Sequence, residues 1–171
     1  MTTERNDSNK SDFLRLFVAD YSDPVHGAAI VRLLDGYASE EAGGGEPLSE
    51  QVKKELVKAL SRIPYAYSVL CFEADLPVGL INCLQGFSTF KCQPLINIHD
   101  VVVAESHRGK GICARMLSLV ERVARERGCC KVTLEVLEGN RPARIAYQKY
   151  GYSGYELNPA LGKALFWQKM L

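Results

Sequence analysis

Hydrophobic and polar positions along the chain change period several times, and each change marks an element. Phe13 to Val18 has the composition of a strand. Asp23-Pro24 then opens a helix bearing Val25, Ala28, Ala29, Val31, Leu33 and Leu34, with proline in the first turn, where its missing N–H costs nothing. Gly43-Gly44-Gly45, set among Glu40, Glu41, Glu46 and Glu50, reads as a flexible loop. Ser49 starts a second helix with Val52, Leu56, Val57 and Leu60 at helical spacing, and Pro64 closes it.

Tyr67 to Glu73 and Val78 to Phe87 are rich in aromatic and β-branched residues, and Asp75-Leu76-Pro77 between them predicts a hairpin. Leu95 to Val103 reads as a longer strand. From Gly111 to Arg127 the pattern is helical: Ile112, Met116, Val120, Val123 and Arg127 share one stripe, and Arg115, Ser118, Arg122 and Arg125 the opposite one. Gly128 ends that helix, after which Val132, Leu134 and Val136 alternate with Lys131, Thr133 and Glu135 as in a half-buried strand. The strand, helix, strand unit predicts a parallel pair. A helix over Arg141 to Lys149, stopping at Gly151, and a closing strand over Leu165 to Met170 complete the order β, α, α, β, β, β, α, β, α, β. Such an order makes a mixed sheet with helices on its faces.

With 171 residues, 47% of them hydrophobic and 24% charged, the chain suits one globular domain, expected over residues 13–171. Residues 1–12 are almost all polar and read as a loose tail, with neither the apolar core of a signal peptide nor the arginine-rich amphipathicity of a transit peptide. Twenty-one basic against 20 acidic residues leave a net charge of +1, without the basic footprint of a nucleic-acid binder. No apolar run approaches the roughly 18 to 20 residues that span a bilayer. The 6 cysteines have no framework spacing and no C-x-x-C, so they are expected as reduced thiols in the cytoplasm. Adjacent Cys129 and Cys130 fit small hydrophobes entering a strand better than a metal or redox pair, and no metal is expected.

The chemistry concentrates in His107-Arg108-Gly109-Lys110-Gly111-Ile112-Cys113-Ala114, between the long strand and the strongest helix. Glycines there let backbone amides approach a ligand, the helix start adds positive dipole, and Arg108 and Lys110 add charge-assisted contacts to phosphate oxygens. A plain turn served by its glycines is the alternative. Gly109 to Ala114 also fits the G-x-G-x-x-A of dinucleotide-binding folds, with Glu135 about 20 residues on; that fingerprint requires a doubly wound sheet, which the element order does not supply. A Walker loop is excluded, because Gly111 follows Lys110 and position 104 is Ala104.

Arg108-Gly109-Lys110-Gly111-Ile112-Cys113 resembles the Arg/Gln-x-x-Gly-x-Gly/Ala signature of the GNAT superfamily of acyl-CoA-dependent N-acetyltransferases, departing from it at Cys113. The resemblance extends from about Phe13 to Leu171 and includes Asp100-Val101-Val102-Val103 before the loop and Asn140 to Tyr152 after it. It implies a GNAT-like α/β (α+β) fold, a central mixed and mostly antiparallel sheet of about six or seven strands flanked by about four helices. It implies acetyl-CoA as acyl donor, its pyrophosphate on the amides of Arg108, Gly109, Lys110, Gly111, Ile112, Cys113 and Ala114, and its pantetheine arm paired with the backbone of Val101, Val102 and Val103. Asn140 and Ala143 correspond to the family segment that contacts the cofactor arm, and Tyr147 to the tyrosine that meets its sulfur. Asn140 is equally a helix cap ahead of Pro142, and Tyr147 on spacing alone is a core aromatic beside Tyr150 and Tyr152.

The implied reaction moves an acetyl group to a primary amine by direct attack through a tetrahedral intermediate. A lysine-like amine titrates near ~10.4, so presenting it neutral at pH 7 costs about 4–5 kcal/mol, which a base lowers. His99 and Asp100 are the candidates, and neighbours on a strand face opposite ways, so one of them is expected to reach the acceptor. Tyr147 is the candidate acid for the departing thiolate. His107 is expected in an exposed loop. Three alternatives stand beside this reading: a Cys113 nucleophile activated by the helix start, an acyl-CoA sensor without turnover, and a dinucleotide-binding domain. Asp35, Glu40, Glu41, Glu46 and Glu50 form either a cation-attracting acceptor site or a solvated acidic loop, and Phe87, Phe90, Tyr65 and Tyr67 either wall that site or belong to the core. A small-molecule or peptide amine is the expected partner, and a homodimer is in keeping with the family.

Overall fold

The computed structural model describes residues 14–171 except positions 157, 159 and 161, so the N-terminal tail of the sequence reading lies outside the described residues. Contacts gather the chain into two units, one up to Glu135 and one from Val136 onward.

The first unit is built on five strands in the order β1-β2-β3-β4-β5: β1 (Leu14–Val18), β2 (Ala66–Glu73), β3 (Leu76–Ser88), β4 (Gln93–Val103) and β5 (Val132–Leu134). The first four pair antiparallel, and β4 with β5 is parallel, as the strand, helix, strand reading requires. The hairpin turns at Ala74-Asp75, with Ala74 at φ 53, while Leu76 and Pro77 already belong to β3. Proline is tolerated there because it stands at the beginning of the strand, where a missing donor is least disruptive.

Helix α1 (Pro24–Ala38) is capped by Asp23, whose carboxylate accepts from the amides of Val25 and His26, and α2 (Glu50–Leu60) by Ser49. Their apolar sides cover one face of the sheet: Ala29, Ile30 and Leu33 of α1 join Leu70, Phe72, Leu80 and Val102 in one buried cluster, with Leu56, Val57 and Leu60 of α2 against it. Helix α3 (Ile112–Glu126) covers the other face. Met116, fully buried, lies so close to the sheet that a Cβ at Gly79 would stand 2.8 Å from its sulfur and 3.2 Å from the Cys71 Cβ. Gly79 is therefore what lets α3 approach. Arg127, placed on the apolar stripe by spacing, lies with its guanidinium 4.5 Å from the centre of the Tyr67 ring.

In the second unit, α4 (Arg141–Lys149) matches its predicted span. The expected strand over Leu165 to Met170 does not form: those residues have no regular structure, and Leu165, Phe166, Trp167 and Met170 are exposed. A strand is stable only with a partner, and no described strand pairs with this segment, although Ala164 N donates to Tyr155 O. The sheet accordingly has five strands rather than six or seven.

Candidate active site

The site is assembled where β4 loses its second neighbour. β4 pairs with β5 only over Ile96, Asn97 and Ile98; beyond that rung no described strand pairs with this edge of β4, while β3 stays paired with the other through Val103. The ladder between β3 and β4 shifts at the same point: Cys83 is opposite Ile98 and Asn82 opposite Asp100, so His99 is an extra residue in β4. A bulge of this kind bends the strand and re-aims its side chains. Val102 points into the core under α1 and is 4% exposed, and Val101 and Val103 are half-buried.

After β4 a single 3₁₀ turn over Glu105–His107 leads into the glycine loop. His107 is not in an exposed loop as expected. It is 7% exposed, with Nε2 3.0 Å from the Glu73 carboxylate and Nδ1 2.8 Å from the Ser106 hydroxyl, which ties the turn to the end of β2. Gly109 and Gly111 take φ of 76 and 77, a left-handed backbone that disfavours any other residue, and open space surrounds both Cα atoms. Gly111 caps α3 without a side-chain hydrogen bond, and among the described residues no side chain is seen on the first-turn amides of Ile112, Cys113 and Ala114. The Ile112 side chain is buried in the core.

Arg108 is held rather than open. Its Nε donates to the Val103 carbonyl at 3.0 Å and its guanidinium to Glu40, at the start of the short loop after α1. Lys110 is exposed. Burial pushes the Cys113 thiol above its ordinary range, the opposite of what a nucleophile requires, and this removes the support for a cysteine mechanism.

Asp100 and His99 part company at the bulge. Asn82 Nδ2 donates to Asp100 Oδ2 at 2.9 Å, whereas the His99 side chain is exposed and makes no hydrogen bond among the described residues. Asp100 lies on the α1 side, near Tyr37. Burial, then the Asp100 and Glu40 carboxylates, push the Tyr37 phenol up, and its hydroxyl donates to Ala42 O at 3.2 Å. Of the acidic residues that suggested an acceptor site, Asp35 and Glu50 pair with Lys53 and Glu40 with Arg108, while Glu41 and Glu46 are exposed. Tyr67 is buried against the α3 side, not a pocket wall, and Tyr65, Phe87 and Phe90 are exposed.

In the second unit Asn140 caps α4, accepting from Ala143 N at 3.2 Å, so the structural half of its dual reading is realised and its Nδ2 is left for another partner. Tyr147 is 9% exposed, its ring edge-on to Tyr152 with centroids 6.1 Å apart. Sequence reasoning missed Asn82, Ser68, Tyr37 and Glu73. Asn82 had a signal, as the one amide within the apolar run Val78 to Leu84, and Ser68 stood alone in Ala66 to Phe72 in the same way.

The model of the acetyltransferase (GNAT) family matches residues 30–152. Among relatives, streptothricin acetyltransferase of Streptomyces lavendulae is 41% identical over 49% of this chain and 46% of its own length. Thialysine N-epsilon-acetyltransferase of Bos taurus is 34% identical over 62% of this chain and 69% of its own. The chain thus spans about half the length of the first and two thirds of the second. Among solved structures, an aminoglycoside acetyltransferase from an uncultured soil metagenomic sample superposes with a TM-score of 0.76 at 16% identity, covering 94% of this chain and 99% of that one. A single parallel pair in an otherwise antiparallel sheet is not the doubly wound context that a dinucleotide fingerprint needs. From its glycine loop, its sheet and these matches together, the chain belongs to the GNAT family of acetyltransferases.

Proposed function

We propose that this protein transfers an acetyl group from acetyl-CoA to a primary amine of a small molecule or peptide. The observation that carries the reading is the edge of β4 beyond Ile98, which no described strand covers, running into a glycine loop whose helix start has no side-chain cap. Extended backbone groups without a strand partner suit the amide groups of a pantetheine arm, and a ring of amide donors with open space above Gly109 and Gly111 suits a pyrophosphate. The donor set therefore fits: backbone of Val101 to Val103 for the arm, amides from Gly109 to Ala114 for the phosphates, and Lys110 for added charge. When bound, acetyl-CoA would supply the thioester carbon for direct transfer to the amine.

The chain's own residues then move protons. Asp100 takes a proton from the acceptor's nitrogen as the carbon–nitrogen bond forms, and exposed His99 beside it carries that proton to solvent. Tyr147 would supply its hydroxyl proton to the thiolate leaving group and regain one from solvent, so that over the cycle the amine loses one proton and the thiol gains one. Arg108 reaches phosphate oxygens by exchanging Glu40 for them, since both partners offer the same charge-assisted bonds. A small-molecule amine is supported by the thialysine enzyme among the relatives. Free-thiol release from acetyl-CoA, followed across diamines, amino acids, aminoglycosides and lysine peptides, tests the proposal; binding of acetyl-CoA without thiol release on any amine would leave a sensor instead.

A further inference from the structure

On the α1 side of the sheet, one rung below the apolar cluster, a row of polar side chains crosses three strands. Tyr21 OH is 3.0 Å from Ser68 Oγ, Ser68 Oγ is 2.6 Å from Asn82 Oδ1, and Asn82 Nδ2 is 2.9 Å from Asp100 Oδ2. Ser68 is 0% exposed and Asn82 7%, so water cannot substitute for these partners. The row has one direction. Asn82 Oδ1 carries no proton, so Ser68 must donate to it; the only Ser68 proton is then spent, so Tyr21 donates to Ser68. The Asn82 amide cannot turn over, because its oxygen would then meet the Asp100 carboxylate. Every donor in the row points toward Asp100, and the row ends on one of its two oxygens. Asp100 Oδ1 has no hydrogen bond among the described residues.

Stability does not demand such a row, since apolar side chains of the same shape fill a buried rung at little or no cost. A bulge at His99, however, leaves the next side chain free to re-aim, and a carboxylate that works as a base must be held to a fraction of an ångström. We propose that Asn82, locked by Ser68 and Tyr21, is a positioning residue: it clamps Asp100 Oδ2 and thereby presents Oδ1 to the acceptor's nitrogen. The inference rests on the reading of Asp100 as the base.

The test compares Asn82→Asp, Asp100→Asn and the double variant in which the two are exchanged, with steady-state thiol release and thermal unfolding measured on each. Asn82→Asp sets two carboxylates together and is expected to lower kcat about 10²-fold, the scale of a misplaced catalytic group, with KM for acetyl-CoA unchanged. The exchanged pair restores the amide-to-carboxylate bond, so it regains Tm but not kcat, because the carboxylate now belongs to β3. Recovery of kcat together with Tm would overturn the proposal and leave the row a structural one. Ser68→Ala and Tyr21→Phe, milder changes, are expected to lower kcat in that order of severity at constant KM for acetyl-CoA. Wild-type kcat in both, with Asp100→Asn impaired, overturns the clamp while sparing the base; wild-type kcat in Asp100→Asn overturns the base and the clamp with it.

Discussion

At the residue scale, the candidate chemistry divides by what each side chain already touches. Tyr147 is buried and Asn140 gives its Oδ1 to a helix cap, while Lys110 and His99 are exposed. Tyr147→Phe keeps the ring and its contact with Tyr152 but removes the proton. Turnover should fall about 10²-fold with KM for acetyl-CoA unchanged, and wild-type turnover in steady-state thiol release would take Tyr147 out of the reaction. His99→Ala should lower turnover less than Asp100→Asn does, and added imidazole should restore it, because a proton carrier at the surface is replaceable by one in solution. A loss that imidazole does not touch would assign His99 a different role. The candidates themselves were legible in the chain: Gly109 and Gly111 by type and spacing, His99 and Asp100 by type beside the loop, and Tyr147 through the family resemblance. Glu73 did not stand out, and Asn82 did so only as a lone amide in an apolar run, because what makes them matter is a partner 34 and 18 residues away, a distance that no local pattern encodes.

At the element scale, α3 is where periodicity and packing agree. Its apolar residues Ile112, Met116, Val120 and Val123 are buried as the stripe predicts, with Leu117, Leu119 and Ala124 added at its flanks. Close packing on β3 depends on Gly79, since a Cβ there meets the fully buried Met116 thioether and the Cys71 Cβ at once. Gly79→Ala should therefore cost about 1–3 kcal/mol, the usual penalty of overpacking, seen as a lower urea midpoint at constant m. Met116→Ala in that background should recover part of the loss by making room; an unchanged midpoint in Gly79→Ala would mean that α3 is less closely seated than this. The strand reading of Leu165 to Met170 failed at this same scale. Leu165, Phe166 and Trp167 form an apolar run without alternation, and composition states that a segment suits a strand but not whether an edge is there to receive it.

At the scale of the whole molecule, the buried titratable groups set how stability responds to pH. Burial pushes the Cys83 thiol up to about 12, and the phenol of Tyr67, its cross-strand partner, is raised as well, again chiefly by burial. Both groups are neutral when protonated, so the folded state holds these protons more tightly than the unfolded chain does. Their contribution is fully present below the ordinary thiol range and is lost as pH rises from there toward 12, at up to about 1.4 kcal/mol per pH unit for each proton. Urea unfolding between pH 7 and pH 10.5 should show stability falling only in the upper part of that range, with a shallower fall in Cys83→Ala. A slope that is the same in both proteins would exclude Cys83 as a source.

Acetyl-CoA gives a second reading at this scale. A ligand that binds only the folded state adds about 2.7 kcal/mol at a hundred times its Kd, so Tm should rise with acetyl-CoA and stay put with NAD. A rise with NAD alone would return the dinucleotide reading that the sheet topology argues against.

What the sequence determined by itself is whatever depends on neighbours along the chain. Helical and strand periods, the Asp23, Ser49 and Asn140 caps, and the glycines of the loop all follow from contacts within a few residues, where the local geometry leaves one economical solution. Tertiary structure alone decided the rest: that β4 bulges at His99 and leaves β5 behind after Ile98, that Arg108 meets Glu40, that His107 is buried on Glu73, and that a polar row ends on Asp100. The reason is physical. A buried polar group must find a partner wherever the fold brings one, and register between strands is fixed by the packing of both faces at once, so neither is written in any one stretch of the chain.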